Sequence, residues 1–385
     1  LPYQYSKLEE HITTDVLIIG SGISGALSAH YLVKEGFNCV VVDERSIALG
    51  STCASTSLLQ YELDEPLHAL KKKIGNYAAN RVYDMCSQSI DTIEEICKTI
   101  GCGEFTRRPS LYYAAYKKDA QTIKDEYEAR KQLGFKMELL SEKDIRDQFG
   151  FAAPNAILSQ QGACLDAYSF THALHQHGIK KGLKVYNRTS ITDIEYKKKG
   201  VVAKTSGNFS IRAKKVVNAT GYQVGHFIDQ KIVTLHSTYA IVSEQLSSKA
   251  KTWSREAMIW NTADPYLYMR KTDDNRIIIG GRDEEFFSPA KRDRLLAKKS
   301  LQLEQDFFRL FPEVEFKPEF CWTGTFGITK DSLPYIGEHA TTPHTYYALG
   351  FGGNGITFSV IAAQLIADAI TGRKNADARL YTFER

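Results

Sequence analysis

The stretch Val16-Leu-Ile-Ile-Gly-Ser-Gly-Ile-Ser-Gly-Ala-Leu-Ser-Ala-His30 decides the fold. A short apolar run feeds a Gly-x-Gly-x-x-Gly turn, and small residues at helical spacing follow it. This order predicts a strand, a tight turn and a helix that together hold a dinucleotide. Gly20 lets the chain leave the strand sharply. Gly22 has no Cβ, so backbone N–H groups can approach a pyrophosphate, and Gly25 lets the helix pack closely on the sheet. The helix N-terminus adds about half a positive elementary charge and unpaired N–H donors, which suit a diphosphate. Asn38-Cys-Val-Val-Val42 reads as the next strand, and Asp43 ends it at about the 20-residue distance from Gly25 that such units require. A carboxylate there accepts hydrogen bonds from both hydroxyls of an adenosine ribose and repels a 2′-phosphate. That favours FAD or NAD over NADP.

The 385 residues suffice for two domains or one domain with an insertion, because single cores stop growing at roughly 250–300 residues. An apolar share of 43% and a charged share of 24% describe an ordinary globular chain. With 49 basic and 45 acidic residues the net charge is +4, too balanced to imply nucleic-acid binding. The runs Lys71-Lys-Lys73 and Lys197-Lys-Lys199 read as solvated faces. No apolar stretch approaches the roughly 20 residues that cross a bilayer, so no transmembrane segment is expected. The first residues lack a charged leader with an apolar core, and no signal peptide is expected. Seven cysteines, an odd number with no Cys-x-x-Cys, point to reduced thiols in a cytoplasm and to no metal site.

The dinucleotide unit runs over residues 12–65. Apolar residues at helical spacing (Val82, Met85, Ile90, Ile93, Ile96) predict a helix over 76–100, and 119–133 reads as a strongly charged amphipathic helix. Residues 110–116 read as a strand. Strand patterns return over 183–217 and end in Lys215-Val-Val-Asn-Ala-Thr-Gly221. Residues 235–243, 266–272 and 277–281 suggest an antiparallel sheet facing a substrate. A charged helix over 290–310 stops before Pro312, and a glycine-rich block precedes a helix over 356–370. The fold class expected is α/β and α+β: a Rossmann-like domain from residues 1–75, 150–225 and 320–385, and a substrate domain from 76–149 and 226–319.

Several ordered motifs together resemble one family. They are Gly20 to Gly25, Asp43, Gly50-Ser-Thr-Cys-Ala-Ser-Thr-Ser-Leu-Leu59, Asn218-Ala-Thr-Gly221, Trp322-Thr-Gly with Thr329-Lys-Asp-Ser-Leu-Pro-Tyr-Ile-Gly337, and Gly350-Phe-Gly-Gly-Asn-Gly-Ile-Thr357. The chain looks like the FAD-dependent amino-acid and amine oxidoreductases that include D-amino-acid oxidase, glycine oxidase and monomeric sarcosine oxidase. The resemblance implies that Gly20, Gly22, Ile23, Gly25, Asp43 and Glu44 hold the ADP half of FAD, with Ile191 beside the adenine. It places Ser51, Thr52, Thr56, Ser57 and Leu58 along the pyrophosphate and flavin edge, and Thr220 and Gly221 beside the cofactor. Phe351, Gly352, Gly353, Asn354, Gly355, Ile356 and Thr357 would lie against the pyrimidine end. There, glycine N–H donors and a helix N-terminus would stabilise negative charge on the reduced flavin.

Departures from the family concern the substrate. Two arginines that clamp a substrate carboxylate in relatives correspond to Phe326 and Gly353, and two lysines of sarcosine oxidase to Thr357 and Ile278. The covalent cysteine has no match, since Cys321 lies three residues early, so FAD is expected to be non-covalent. The electron acceptor, oxygen or another, stays open. Tyr266, Tyr268 and Arg270 alternate along one strand and would share a face, which makes Tyr268 and Arg270 the candidate substrate anchors. Tyr61, Tyr113 and Trp322 would serve as apolar walls. His172, His226 and His236 show no catalytic spacing. The expected reaction is hydride transfer from the C–N bond of a small amine or amino acid to flavin N5. Alternatives are a flavin-dependent dehydrogenase of a 2-hydroxy acid or glycerol 3-phosphate, and an FAD-binding subunit of a multi-protein dehydrogenase.

Overall fold

The computed structural model describes residues 3–103, 105–222, 228, 232–247, 250, 252–253, 255–286 and 288–385. The opening strand, Ile12–Ile19, alternates its side chains as its sequence requires. Val16 and Ile18 enter one core beneath the helices, while Leu17 and Ile19 enter a second core on the opposite face. This strand pairs in parallel with Cys39–Val42 on one side and Ser210–Asn218 on the other. Parallel pairing continues outward to Lys184–Tyr186 and to Thr345–Leu349. Two antiparallel additions complete the sheet: the hairpin of Ile191–Lys197 with Gly200–Thr205, and the edge strand Tyr335–Glu338.

The described helices are α1 (Ile23–Lys34), α2 (Leu67–Ile74), α3 (Asn76–Ile100), α4 (Ala120–Lys131), α5 (Glu142–Phe149), α6 (Ala167–Ile179), α7 (Pro289–Leu310) and α8 (Gly355–Thr371). Helices α1, α3, α6 and α8 cover one face of the parallel sheet and share its largest core. None is long and apolar enough to cross a membrane, among the described residues.

A second sheet of eight strands runs in the order 318–328, 234–243, 277–284, 268–271, 258–261, 110–113, 155–159, 137–141. All its pairings are antiparallel except that between Met258–Asn261 and Ser110–Tyr113. Helix α7 lays Leu303 and Phe307 against Tyr239, Ile241 and Ile279 of this sheet. A small third sheet joins Leu58–Gln60, Gly162–Cys164 and Thr106–Arg107.

The mixed α/β architecture agrees with the sequence reading, but the packing divides the chain differently in three places. Helix α3, assigned to the substrate domain, buries Val82, Cys86, Ile90 and Ile93 in the core shared with α1 and α8. Amphipathic spacing states that one face is buried, not against what. Strand Asn155–Ser159 and residues 320–328 of strand Pro318–Ile328, assigned to the cofactor domain, are ladders of the second sheet.

A Cβ on Gly25 would overlap the Gly20 carbonyl oxygen. Gly25→Ala is therefore expected to lower stability by about 1–3 kcal/mol, the usual range for forced overpacking. Urea unfolding of the purified variant measures it; an unchanged midpoint would contradict the close contact.

Candidate active site

At the end of the first strand Gly20 turns with φ +104°, and a side chain there would strike the Ala219 carbonyl. The turn therefore seats directly on Asn218-Ala-Thr-Gly221. Ser21 gives its backbone N–H (2.8 Å) and its hydroxyl (2.6 Å) to Asp43 Oδ2, while Arg45 N–H donates to Oδ1 at 2.9 Å. Thr52 Oγ1 accepts the Ile23 N–H at 3.0 Å and would lie 2.9 Å from a Cβ on Gly22. Strand end, helix N-terminus and the 50–57 loop thus meet at one point.

They open onto a cleft of about 1070 Å³. Of the residues expected at the cofactor, Gly20, Gly22, Ile23, Asp43, Glu44, Ser51, Thr52, Ile191, Thr220, Gly221, Phe351, Gly352, Gly355 and Ile356 line it. The others serve from behind. Gly25 packs α1 on the turn, and Thr56 offers its carbonyl to Arg270. Ser57 takes a positive φ just before Leu58 starts a strand of the small sheet. Gly353 N–H donates to Asp64, Asn354 donates its amide to the chain at 60–62, and buried Thr357 donates to the Asn354 carbonyl at 3.1 Å. Asn354, at the N-cap of helix α8, makes no side-chain cap, so the positive dipole end of the helix faces the glycine loop.

The second sheet lines the cleft through Thr323, Gly324 and Thr325, and further side chains of that sheet reach the 50–57 loop. Trp322 Nε1 donates to the Ala54 carbonyl at 2.9 Å, and the Tyr268 hydroxyl bonds Thr56 and Thr238. Arg270 shares that face, as expected, but Nε donates to the Thr56 carbonyl at 2.7 Å and Nη1 to the Lys271 carbonyl. Its guanidinium braces the 50–57 loop instead of standing free as a carboxylate anchor. A backbone carbonyl leaves no mark in a sequence, so nothing there announces this partner. Tyr113 donates no hydroxyl here but accepts the Asn261 amide, and Tyr61 is wholly buried, so these two are core, not wall.

Sequence reasoning missed the acids. Asp64 Oδ1 accepts the Tyr266 hydroxyl at 3.1 Å, and Oδ2 accepts Gly353 N–H at 2.9 Å. Asp64 keeps water-accessible surface, yet the protein around it raises its carboxyl, against the pull of those two donors. Burial likewise pushes Asp283 up to about 6, with Thr238 as its bonded partner and the Asp64 charge adding to the rise. Its Oδ1 atom is closed off from solvent and has no hydrogen-bond partner among the described residues. The rings of Tyr266 and Tyr268 lie 5.8 Å apart beside these two acids.

With this geometry the comparisons agree. The profile of the FAD dependent oxidoreductase family matches residues 15–369. The chain belongs to that family. It is an enzyme, and its cofactor is FAD. It is similar to gamma-glutamylputrescine oxidoreductase of Escherichia coli (strain K12), with 26% identity over 382 residues, 96% of this chain and 86% of that one. Among solved structures, glycine oxidase from Geobacillus kaustophilus superposes with a TM-score of 0.78 at 18% identity, over 94% of this chain and 96% of that one. L-proline dehydrogenase from P. horikoshii gives 0.80 at 19% identity, over 97% of both. Side chains at 20 and 22 would strike the Ala219 carbonyl and Thr52 Oγ1, so only glycine lets the turn close at the mouth of the cleft, where backbone N–H groups suit the diphosphate of FAD.

Of the histidines, His236 lies across the strand pair from Phe326, ring centroids 5.5 Å apart. His226 falls outside the described residues. His172 accepts or donates at Tyr5, and His175, wholly buried, holds the Ser21 carbonyl through Nε2 at 2.9 Å. Burial lowers His30, His172 and His175 to about 4, from an ordinary 6.5. Their neutral forms belong to the folded state, so the unfolded chain binds more protons between these values. Stability is expected to fall as pH drops from about 6.5 to about 4, with no further loss from these groups below that. His175→Gln, which can still donate to Ser21, should flatten part of the fall in melting temperature; an identical slope would remove His175 from the account.

Proposed function

We propose that the enzyme oxidises the C–N bond of a small amine or amino acid, and that it prefers an end of the substrate that is cationic. The observation that carries this is the charge of the wall. Where a guanidinium would be needed for a carboxylate, a side chain on Gly353 would meet Asp64 Oδ1 at 2.7 Å and the Tyr266 hydroxyl at 2.9 Å. Phe326, the other arginine position, is apolar and packs with His236. Arg270 is occupied by main-chain carbonyls, and Lys299 by the Arg282 carbonyl and Glu284. Arg292, which lines the cleft, is engaged with Asp293 and Thr325. Beside the 50–57 loop the described residues then place two carboxylates next to two phenol rings, an environment that attracts ammonium through ion pairing and the ring faces.

FAD, when bound, supplies the hydride acceptor. The protein's own share is to orient and to manage one proton. Tyr266 and Tyr268 would fix the substrate between their rings, and Asp64 and Asp283 would hold the ammonium. Asp283 Oδ1, raised to about 6 and without a partner, is suited to accept a proton from that ammonium, leaving the neutral amine from which hydride departs. Trp322 and Arg270 hold the 50–57 loop against this wall and keep water out. The similarity to gamma-glutamylputrescine oxidoreductase, named for an amine substrate, supports this reading.

Anaerobic mixing with n-butylamine, 4-aminobutanoate, 1,4-diaminobutane and 2-hydroxybutanoate tests the reading through bleaching of the flavin spectrum. Bleaching by amines and not by the hydroxy acid is expected; the reverse would move the chemistry to the C–O bond, with His236 as the base to examine. Readmitting air then shows whether oxygen accepts the electrons. Asp283 is ionised above about 6, so amine affinity should weaken as pH falls through that value. Asp283→Asn should weaken amine binding at neutral pH and abolish the inflection; a variant that keeps it would exclude Asp283 as its source.

A further inference from the structure

Behind the glycine loop lies a group of charges that the reaction does not use. Arg130 of α4 has no exposed surface; Nε donates to Glu126 Oε1 at 2.5 Å and Nη1 to Glu62 Oε1 at 3.3 Å. Tyr61, Tyr83 and Tyr112 surround the guanidinium at 5.6, 5.9 and 5.7 Å. Glu126 also accepts the N–H groups of Leu67 (2.9 Å) and His68 (3.0 Å) and the His68 ring at 2.8 Å. Helix α4 therefore grips the segment 62–68 at both ends. That same stretch grips the flavin-side loop: Asn354 Nδ2 donates to the Glu62 carbonyl at 2.8 Å and the Gln60 carbonyl at 3.3 Å, and Gly353 N–H donates to Asp64.

Such a triad is a costly way to fill a core. Taking ions out of water costs several kcal/mol per ion, and apolar residues of similar volume usually stabilise as well or better. Here Glu62 Oε2 and Arg130 Nη2 are buried without a hydrogen-bond partner among the described residues. What the triad gives that apolar side chains cannot is direction: three fixed contacts that set where the backbone of 60–64 runs. Asn354 spends its side chain on that backbone and so does not cap α8.

We propose that Glu62, Arg130 and Glu126 form a positioning unit for the flavin-binding loop. They fix segment 60–64, and through Asn354 and Gly353 they fix the start of α8 against FAD. This inference rests on the cofactor alone and stands whatever the substrate is. Arg130→Met keeps the volume and removes the charge. In the holoenzyme it should speed FAD release on dilution about tenfold, followed by the rise of free-flavin fluorescence, and shift the flavin midpoint potential. Asn354→Ala should do the same, and the double variant should release FAD no faster than the worse single variant, because both cut one chain of contacts. Multiplicative effects on release, or Arg130→Met that lowers the unfolding midpoint while release and potential stay unchanged, would overturn the proposal. Should Arg130→Met not fold, Glu62→Gln in the same cycle with Asn354→Ala decides it: a shared shift in potential supports the unit, and independent shifts reject it.

Discussion

The structure turns on the contact between Gly25 of α1 and the carbonyl of Gly20, where no side chain can intervene. Because α1 sits that close, its N-terminus stands at the end of the Ile12–Ile19 strand, and Ser21 reaches Asp43 on the neighbouring strand with both its N–H and its hydroxyl. The same approach leaves Ile23 N–H within reach of Thr52, so the 50–57 loop is drawn over the cleft. That loop in turn gives carbonyls to Trp322 and Arg270 of the second sheet. One steric constraint in the first thirty residues thus propagates through hydrogen bonds to the opposite wall of the active site.

The parts legible in the sequence were those with a local physical signature. The unbroken apolar run Val16-Leu-Ile-Ile19 belongs to a strand buried on both faces, and two separate cores receive its alternating side chains. The glycine turn, the acid at the end of the second strand and the uncapped glycine loop before α8 carry their reasons within a few residues. Fourteen of the expected cofactor residues line the cleft because such motifs act through backbone, whose path the glycines dictate.

What stayed hidden depended on partners far away in the chain. Arg270 aims at a main-chain carbonyl 214 residues earlier, which any residue type could supply. Asp64 has no neighbours in sequence that mark it; only the fold sets it against Gly353 and Tyr266. Residues 119–133 read only as a strongly charged amphipathic helix, a pattern that does not single out Glu126 and Arg130, spaced i and i+4. In the structure both are wholly buried and organise the segment behind the flavin loop. Charge patterning alone cannot distinguish a solvated helix face from a buried clamp, since the decision rests with the tyrosines that α4 meets only after folding.

The two acidic features of this enzyme differ in what surrounds them, and that difference separates structure from chemistry. Glu126 is pushed up by burial, but Arg130 and donors from residues 67–68 overcome this and hold it down at about 2, so it keeps its charge. A group so matched is finished: it can position neighbours but has little left to offer a ligand. Asp283 has the opposite balance, with burial prevailing over Thr238 and Lys299 and one oxygen without a partner. A carboxyl that titrates near 6 and lacks a donor is stabilised most by the arrival of one. An incoming ammonium supplies that donor and its charge together, whereas a carboxylate would add repulsion to a site that already contains Asp64. The same fold that satisfies one carboxylate from all sides leaves the other incomplete, which is why Asp283 and not Glu126 enters the proposed reaction.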